Sequence, residues 1–446
     1  MKQQLVLFNL PENSVDSLKE KPMGTPRLRI ASREQYEFKS CLLNDLIPKE
    51  HLARDIWDYV NKLDLSISLS KIQSVEGKQG SPAIDPKILV CLWLFATIKG
   101  ISSSRAIEEL TKEHNAFIWI CGGVNVNYHT ISDYRSKSGD QLDNLLTQSI
   151  AVLSHTDVIS LERVSQDGIR VRAHAGRNSF RREGSLNDHL ILAKELVNDL
   201  KEEEQKNPGS CKTRLKAAQK RVTKEKAQRI EEALNELKEL QEERMHVKNK
   251  KHYKDSIEKA RASTTDPQAR IMKVANGGYN PAYNIQYATT NKGKAIVGVN
   301  VIKKGTDNNQ IITMIEEMKK RCGVIPKKWL VDTGYESFEE LEKISKKFPE
   351  CKVYIPGRER KGKDPYKLNP RDSLAIRDWK KRMASKEGKK IYNERPETAE
   401  LINAQARNRG LQQVLVRGLK KVKDTAVIFA IAHNMMIAIV KLAGSL

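Results

Sequence analysis

Residues 328–335 read Lys-Trp-Leu-Val-Asp-Thr-Gly-Tyr, and this stretch decides the fold class. Its apolar part predicts a short strand that ends at Asp332. Residues 307–321, just before it, carry apolar side chains at helical spacing. Just after it, Ser337 caps a second predicted helix, and residues 351–355 predict another strand. Strands and helices in this mixed order are typical of an α/β layered domain.

Further strands are predicted upstream of that stretch. Residues 158–173 fit a strand with a bend around Asp167-Gly168. Residues 283–289 and 295–302 are predicted to form a hairpin, since two alternating runs flank a short polar turn. Residues 158–446 are therefore predicted to form one α/β domain.

A long helical insertion separates the first of these strands from the others. Leucines recur four apart in residues 188–204, and a second helical pattern covers residues 215–237. The residues Asn207-Pro208-Gly209-Ser210 predict a turn between them. We predict that residues 181–261 form an antiparallel, coiled-coil-like helical hairpin. The alternative is a single solvated helix that is broken at Pro208.

The N-terminal third is predicted to be helical. Residues 1–36 hold three prolines and little pattern, which predicts an extended arm, whereas residues 37–150 have helical spacing. Asp85-Pro86 is a strong helix start, because Asp caps the first turn and Pro suits it. Thr130 or Ser132 is a candidate cap for a later helix that carries Arg135. Short helices joined by tight turns fit either a helix-turn-helix DNA reader or a bundle that only packs.

The chain is strongly basic. It carries 79 Lys and Arg against 56 Asp and Glu, a net charge of +23. Residues 351–446 hold 22 of these basic residues and 9 of the acidic ones, which gives +13 in this segment. Such a surface predicts a polyanionic partner, nucleic acid before all others. The basic residues of 358–390, which we predict to be an irregular segment, would add a salt-sensitive attraction to phosphate.

Cysteine and hydropathy patterns argue against two other classes of protein. The six cysteines lie far apart and form no CxxC pair, which argues against a disulfide scaffold or a zinc site and for a reduced, cytoplasmic protein. No apolar run reaches the roughly 18–20 residues of a membrane helix. The best candidate, residues 426–440, contains His433 and Asn434. We therefore expect no membrane partner.

Three acidic residues occupy special places in the predicted order of elements. Asp167 lies in the first strand, Asp332 lies just past a later strand, and Glu400 lies on a helix. An acid in an apolar strand is costly to bury unless it is paired or binds a cation. If the three converge, their oxygens suit Mg²⁺ or Mn²⁺, and two such ions serve phosphodiester chemistry. Each acid alone also fits a turn residue or a helix cap, so the pattern leaves both interpretations open.

Several stretches together carry a family resemblance. They are residues 46–54 (Leu-Ile-Pro-Lys-Glu-His-Leu-Ala-Arg), 85–105, 128–135, 166–169 (Gln-Asp-Gly-Ile), 265–270 (Thr-Asp-Pro-Gln-Ala-Arg), 278–286, 331–335 (Val-Asp-Thr-Gly-Tyr), 395–407, 417–422 and 432–434. In these stretches the chain resembles the bacterial insertion-sequence transposases of the DDE class that have an InsH-type helical N-terminal domain. The resemblance extends over nearly the whole chain.

The resemblance implies a fold, an activity and a set of site residues. It implies an RNase H-like catalytic core, interrupted by the hairpin, that cleaves DNA strands at element ends and transfers them to a target. Asp167, Asp332 and Glu400 carry over as catalytic residues that bind two Mg²⁺ or Mn²⁺ ions. Arg407, two helical turns after Glu400, carries over as a contact to the DNA backbone, and Arg395 and Arg135 are grouped with it as predicted DNA contacts.

The resemblance also implies partners and a location. The partner is double-stranded DNA, both element ends and target. Because two ends must be held together, we expect a homodimer or a larger assembly, with the hairpin in dimerisation or end binding. The location implied is the bacterial cytoplasm, with the nucleoid.

Departures from the family pattern lie around the glutamate. Asn403-Ala404 stands where an aromatic residue and glycine are usual, and Arg407 stands for the usual lysine. Glu397 is a rival to Glu400, although position 404, seven residues after it, is not basic. Two alternatives to a transposase follow: a metal-dependent nuclease or resolvase on the same fold, and a catalytically inactive DNA-binding relic.

Four other polar residues have both a functional and a structural interpretation. Asn284 and Gln286 share a strand face, where they either touch DNA or the site or, as we expect, cap strand-edge hydrogen bonds. Asp266 is interpreted as a helix cap rather than a fourth acid. His433, on an apolar helix, is interpreted as a packing histidine rather than a catalyst.

Overall fold

The computed structural model describes residues 42–75, 81–206, 214–245, 257–275, 277–358 and 364–443. The predicted arm (1–36) and the predicted turn at residues 207–210 lie outside the described residues. The helices are α1 (Leu52–Asn61), α2 (Ser66–Leu69), α3 (Pro86–Ile98), α4 (Ser104–Glu113), α5 (Asn115–Cys121), α6 (Tyr128–Lys137), α7 (Gly139–His155), α8 (Glu183–Lys206), α9 (Arg214–Met245), α10 (Ile311–Cys322), α11 (Phe338–Lys347), α12 (Leu374–Ala384), α13 (Lys386–Tyr392), α14 (Pro396–Asn408) and α15 (Leu419–Ala443). The strands are β1 (Arg163–Arg172), β2 (Phe180–Arg181), β3 (Ala262–Ser263), β4 (Arg270–Lys273), β5 (Tyr279–Thr290), β6 (Ile296–Ile302), β7 (Lys328–Leu330) and β8 (Lys352–Tyr354).

A mixed sheet of six strands, counted within the described residues, lies at the centre of the fold. Its strand order is β4-β5-β1-β7-β8, and β6 also pairs with β5. Strand β5 is antiparallel to β1, β4 and β6, whereas β1, β7 and β8 are parallel to one another. The two short parallel strands are each preceded by a helix, α10 before β7 and α11 before β8. The predicted α/β class is therefore confirmed.

The second half of β1 has an open side. Parallel pairing with β7 ends where Ser165 lies opposite Leu330. In the described part of the chain, β1 meets no further strand on that side until an isolated bridge joins Arg172 to Gln413. The gap between these points is occupied by the loop after β7 and by α14, which packs against β1 and β5. The shortness of β7 thus creates a recess beside the middle of β1.

The N-terminal helices share one hydrophobic core with the sheet. Helix α3 is buried on nearly every side, from Ile88 to Ala96, because it packs against α1, α5 and α15. Helix α15 packs against α7, α3 and β6. Its stretch Leu419–Lys441 is the one helical stretch of the described residues with the length and apolar character of a membrane span, but 72% of the apolar 18-residue part of that stretch is buried in the protein. Its hydrophobicity is thus explained by its position in the core.

The insertion forms the predicted antiparallel hairpin. Gln241 on α9 donates to Glu183 at the start of α8, and Lys194 pairs with Glu231, so the two helices run in opposite directions. Buried Leu186, Ile230 and Leu237 form a separate small core between them. The two ends of the insertion meet in the antiparallel β2–β3 pair. The alternative of one broken, solvated helix is wrong.

Two local predictions were wrong. The basic segment 358–390 was predicted to be irregular, but its described part contains α12 and α13, because Ile376, Trp379 and Met383 give it a buried apolar face. The helix that carries Arg135 begins earlier than Thr130 or Ser132. Its cap is Asn127, whose side-chain oxygen accepts from the Thr130 backbone N–H.

Asn434 connects the last helix to the edge of the sheet. It is fully buried; its Oδ1 accepts from the Ile296 backbone N–H at 2.8 Å, and its Nδ2 donates to the Ile296 carbonyl at 2.9 Å and to Ser149 Oγ at 3.2 Å. The side chain therefore pairs with the outer edge of β6 as a neighbouring strand would.

We expect Asn434→Ala to lower the free energy of unfolding by about 2–4 kcal/mol, because it leaves two buried backbone groups without partners. Chemical denaturation monitored by circular dichroism measures this change. Val440→Ala, at a largely exposed position of the same helix, is the control and should change stability by less than about 0.5 kcal/mol. Equal effects of the two substitutions would contradict this role of Asn434.

Candidate active site

Asp167 and Asp332 lie side by side at the recess beside β1. Ser165 lies opposite Leu330, the last residue of β7, in the parallel β1–β7 pair; Asp167 follows two residues later on β1, and Asp332 two residues later in the loop after β7. Asp332 caps a short 3-10 helix, Thr333–Tyr335, and its Oδ1 accepts from the Gly334 backbone N–H at 2.7 Å. The strand pairing therefore brings together two acids that are 165 positions apart in the chain.

Asp167 is held by two side chains from the start and middle of α14. Its Oδ1 lies 3.2 Å from Nη2 of Arg395, and its Oδ2 accepts from Nδ2 of Asn403 at 2.9 Å. Burial raises the pKa of Asp167 to about 6, against the lowering effect of Arg395, and the charges of Asp332 and Asp307 raise it further. The site is thus an acidic cluster that disfavours its own full ionisation.

A third aspartate, Asp307, was missed by the sequence analysis. Its Oδ1 accepts from Asn284 Nδ2 and from Gln286 Nε2, both at 2.7 Å. Its Oδ2 lies 3.5 Å from Nη2 of Arg170. The sequence analysis included Asp307 in the helix predicted for residues 307–321, but that helix begins at Ile311 and Asp307 lies in the loop before it. The shared strand face of Asn284 and Gln286 was the one signal for its role. The prediction that these two amides cap strand edges was wrong, because both are fully buried on the central strand β5.

Gly168 makes room for this arrangement. A Cβ at that position would lie 2.4 Å from Gln286 Nε2 and 2.6 Å from both Asn284 Oδ1 and Asp307 Oδ1. Only glycine lets β1 approach the two amides and the carboxylate so closely. Gly168, which directly follows Asp167, thus leaves the space that the Asp307 carboxylate occupies.

A buried polar network lies behind the acids. The Trp329 indole donates to Gln166 Oε1 at 3.1 Å, Gln166 donates to Gln286 Oε1 at 3.0 Å, and the Tyr335 hydroxyl also donates to Gln286. Burial, with the nearby charges of Asp307, Asp167 and Asp332, raises the pKa of Tyr335. Tyr335 therefore serves as a neutral donor that fixes the loop after β7.

Glu400 lies on the same helix but is turned to solvent. It is exposed, one helical turn before Asn403, which contacts Asp167. Glu397, the rival, is also exposed and lies 3.4 Å from Lys294 Nζ, away from the aspartates. In the described residues, no three His, Cys, Asp or Glu side chains lie close enough together to hold one metal ion. The structure thus brings Asp167 and Asp332 together and leaves Glu400 beside them.

The three predicted DNA-binding arginines have different environments. Arg407 is exposed on the last turn of α14. Arg395 is buried against Asp167, so its charge serves the site rather than a DNA surface. Arg135 is buried, donates to the Ser102 carbonyl at 2.8 Å and lies over the Trp93 ring. Burial lowers its pKa to about 10. The prediction that Arg135 contacts DNA is corrected, because its contacts make it part of the helical core and not of a surface.

Two further predictions are decided by buried contacts. The two nitrogens of His433 bond to Gln405 Oε1 and to the Lys294 carbonyl, both at 2.8 Å, and burial lowers its pKa to about 4. The packing role predicted for His433 is confirmed. Asp266 caps no helix; it is fully buried and accepts from the Tyr283 hydroxyl and the Gly418 N–H.

Two family models match the chain on either side of this centre. One, described as a transposase domain, matches residues 42–137, and the other, described as a transposase DDE domain, matches residues 346–437. Both matches support an insertion-sequence transposase of the DDE class. No curated protein and no solved structure matches the transposase. The second match includes Glu400 and Arg407, whereas Asp167 and Asp332 lie between the two matched segments.

Replacement of Asp167 by asparagine should stabilise the transposase at alkaline pH. The raised pKa means that the folded state favours the protonated acid, so stability is highest below the unfolded pKa near 4 and falls as the pH rises through about 6. We expect Asp167→Asn in EDTA to be more stable than wild type by about 1–2 kcal/mol at about pH 8, and equal to it at about pH 4. Denaturation curves at several pH values measure the difference; parallel curves for the two proteins would refute the raised pKa.

Proposed function

We propose that this transposase cleaves DNA strands at the ends of an insertion sequence and transfers them to target DNA, with Asp167, Asp332 and Glu400 as its catalytic residues. The observation that carries the proposal is that Asp167 and Asp332 each follow, by two residues, the last pair of the β1–β7 ladder, in a recess beside a central strand. Two partly buried carboxylates in this position repel each other, and a bound cation relieves that repulsion.

The catalytic core is proposed to be RNase H-like. Three antiparallel strands, β6, β5 and β1, lead into the parallel strands β7 and β8, and α14 packs against β1 and β5. This order supports a site to which a central strand, the end of its parallel neighbour and a late helix each contribute one acid. The proposed triad needs this arrangement of its three acids.

The donor set fits hard divalent cations, Mg²⁺ or Mn²⁺, of which we propose two. Asp167 and Asp332 would hold them with oxygen ligands, and Glu400 would complete the set after rotation of its exposed side chain. When bound, such ions activate the attacking oxygen and stabilise the leaving oxygen of a phosphodiester. Arg395 and Asn403 orient the Asp167 carboxylate, and Arg395 also balances its charge.

The net charge of +23 supports double-stranded DNA as the partner. Arg407 is exposed on the last turn of the helix that carries Glu400, and we propose that it contacts the DNA backbone. We further place the reaction in the bacterial cytoplasm, with the nucleoid. The N-terminal helices are proposed to assist in DNA binding through their exposed faces.

The hairpin is proposed to hold two copies of the transposase together. Ile191, Leu192 and Leu196 on α8 are 57%, 63% and 46% exposed, although they belong to a helix that already packs on α9. Leu192 and Leu196 are one turn apart and so lie on one face. An exposed apolar stripe with this spacing suits a second hairpin of the same kind.

The role of Glu400 is tested by its substitution, with Glu397 on the same helix as the control. We expect Glu400→Gln to reduce strand cleavage by at least about 10³-fold, because it removes a negative oxygen ligand that acts in the transition state. Asp332→Asn should have the same effect, and both variants should still bind DNA. Cleavage and strand transfer on DNA that carries the element's ends, assayed with Mg²⁺, give the measurement.

Glu397→Gln is the matched control and should cleave at about the wild-type rate. If Glu397→Gln is the inactive variant, the assignment of Glu400 is wrong. If wild type cuts but never joins pre-cleaved ends, the protein is a nuclease, and if wild type does neither while it binds DNA, it is a relic.

The dimer is tested on the exposed face of α8. Leu192→Glu combined with Leu196→Glu should convert a dimer into a monomer, because it places four like charges in the proposed interface of two copies. Light scattering coupled to gel filtration measures the mass, with and without DNA. Asn198→Glu, an exposed position off this face, should leave the dimer intact. A wild-type monomer in both conditions, or a double variant that stays dimeric, would contradict the proposal.

A further inference from the structure

A small cleft next to the acidic cluster is lined by three arginines. Arg170 and Arg172 come from β1 and Arg407 from α14, and the rest of the lining is apolar or uncharged: Ile169, Val274, Ala275, Leu411 and Gln412. We propose that this cleft binds phosphate groups of the DNA strand that enters the acidic cluster. The inference rests on the proposed function and adds Arg170 and Arg172 to it as a phosphate-binding site.

The charges in the cleft are available for an anion. Arg172 and Arg407 are exposed, and within the described residues neither has a carboxylate within 4.0 Å. Arg170 is 36% exposed and pairs with Asp307 at 3.5 Å. No acidic side chain belongs to the described lining of the cleft. Three arginines that line one cleft without an acidic residue in its described lining favour a bound polyanion.

The position of the cleft follows from the two elements that build it. On β1, Arg170 and Gly168 share the strand face opposite to that of Asp167, and on this face Arg170 lies 3.5 Å from Asp307. On α14, Glu400 precedes Arg407 by seven residues, about 10 Å of helix. The cleft therefore adjoins the acidic cluster on the side of Asp307, and a nucleic acid strand can pass from one to the other.

The backbone around the cleft is rigid. The Arg172 N–H donates to the Gln412 carbonyl at 3.0 Å, and the Arg172 carbonyl accepts from the Val414 N–H at 2.9 Å. Asp307, fixed by Asn284 and Gln286, holds Arg170 from the side of the acids. An arginine whose backbone is held in place loses less conformational entropy when it binds phosphate, which favours a specific contact.

The test measures the salt dependence of DNA binding by the full chain. The probe is a fluorescein-labelled DNA duplex in EDTA, so that no cleavage occurs, and affinity is measured by fluorescence anisotropy over a range of salt concentrations. Each phosphate contact contributes about 0.9 to the slope of log affinity against log salt. We expect Arg172→Ala with Arg407→Ala to lower the slope by about 2, and Arg172→Lys alone to keep it, because the charge remains.

Lys319→Ala, which removes an exposed cation on α10, is the matched control and should leave the slope unchanged. Thermal unfolding of each variant confirms that it is folded. If the double variant keeps the wild-type slope, the cleft binds no phosphate, whereas the proposed function stands or falls separately on the cleavage assays of Glu400 and Asp332. If wild type shows no salt-dependent binding at all, both proposals fail.

Discussion

Repulsion between Asp167 and Asp332 is the constraint on which the rest of the site depends. Parallel pairing of β1 with a very short β7 places the two carboxylates together and leaves them in a partly buried recess. Burial and mutual repulsion both oppose ionisation, so the pKa of Asp167 is raised. Two like charges at one site lower the stability of the folded protein unless positive side chains or bound cations offset their repulsion. Within the chain, Arg395 offsets part of it.

Two kinds of side chain stabilise the recess. Asn403 of α14 donates to one oxygen of Asp167, and Arg395, the N-cap of α14, lies at ion-pair distance from the other, so the helix and the central strand are coupled through one carboxylate. On the other side, a chain of neutral amides runs from Gln166 through Gln286 to Asp307. Neutral donors fix an acid without cancelling its charge. The amides therefore order the geometry of the site without adding positive charge to it.

A site residue could be predicted from the sequence where it stands out from a local hydrophobic pattern. Asp167 and Asp332 stand out because each interrupts or ends an apolar strand, and the hairpin stands out because leucine spacing persists over many turns. Asp307 carries no such signal, since it lies in a loop and gains its role only through contacts to residues about twenty positions away. Arg135 resembles a surface cation in the sequence, but it is buried beside Trp93.

The sequence by itself determined the alternation of strands and helices, the inserted hairpin and the basic character of the chain, because periodic hydrophobicity and net charge are local or additive properties. Only the tertiary structure decided which polar groups meet. Strand register placed Asp167 against Asp332, a glycine admitted Asp307 beside them, and the pitch of α14 brought Asn403 onto Asp167 while Glu400 remained in solvent. Contacts between distant segments depend on how the whole core packs, and no short stretch of sequence contains that information.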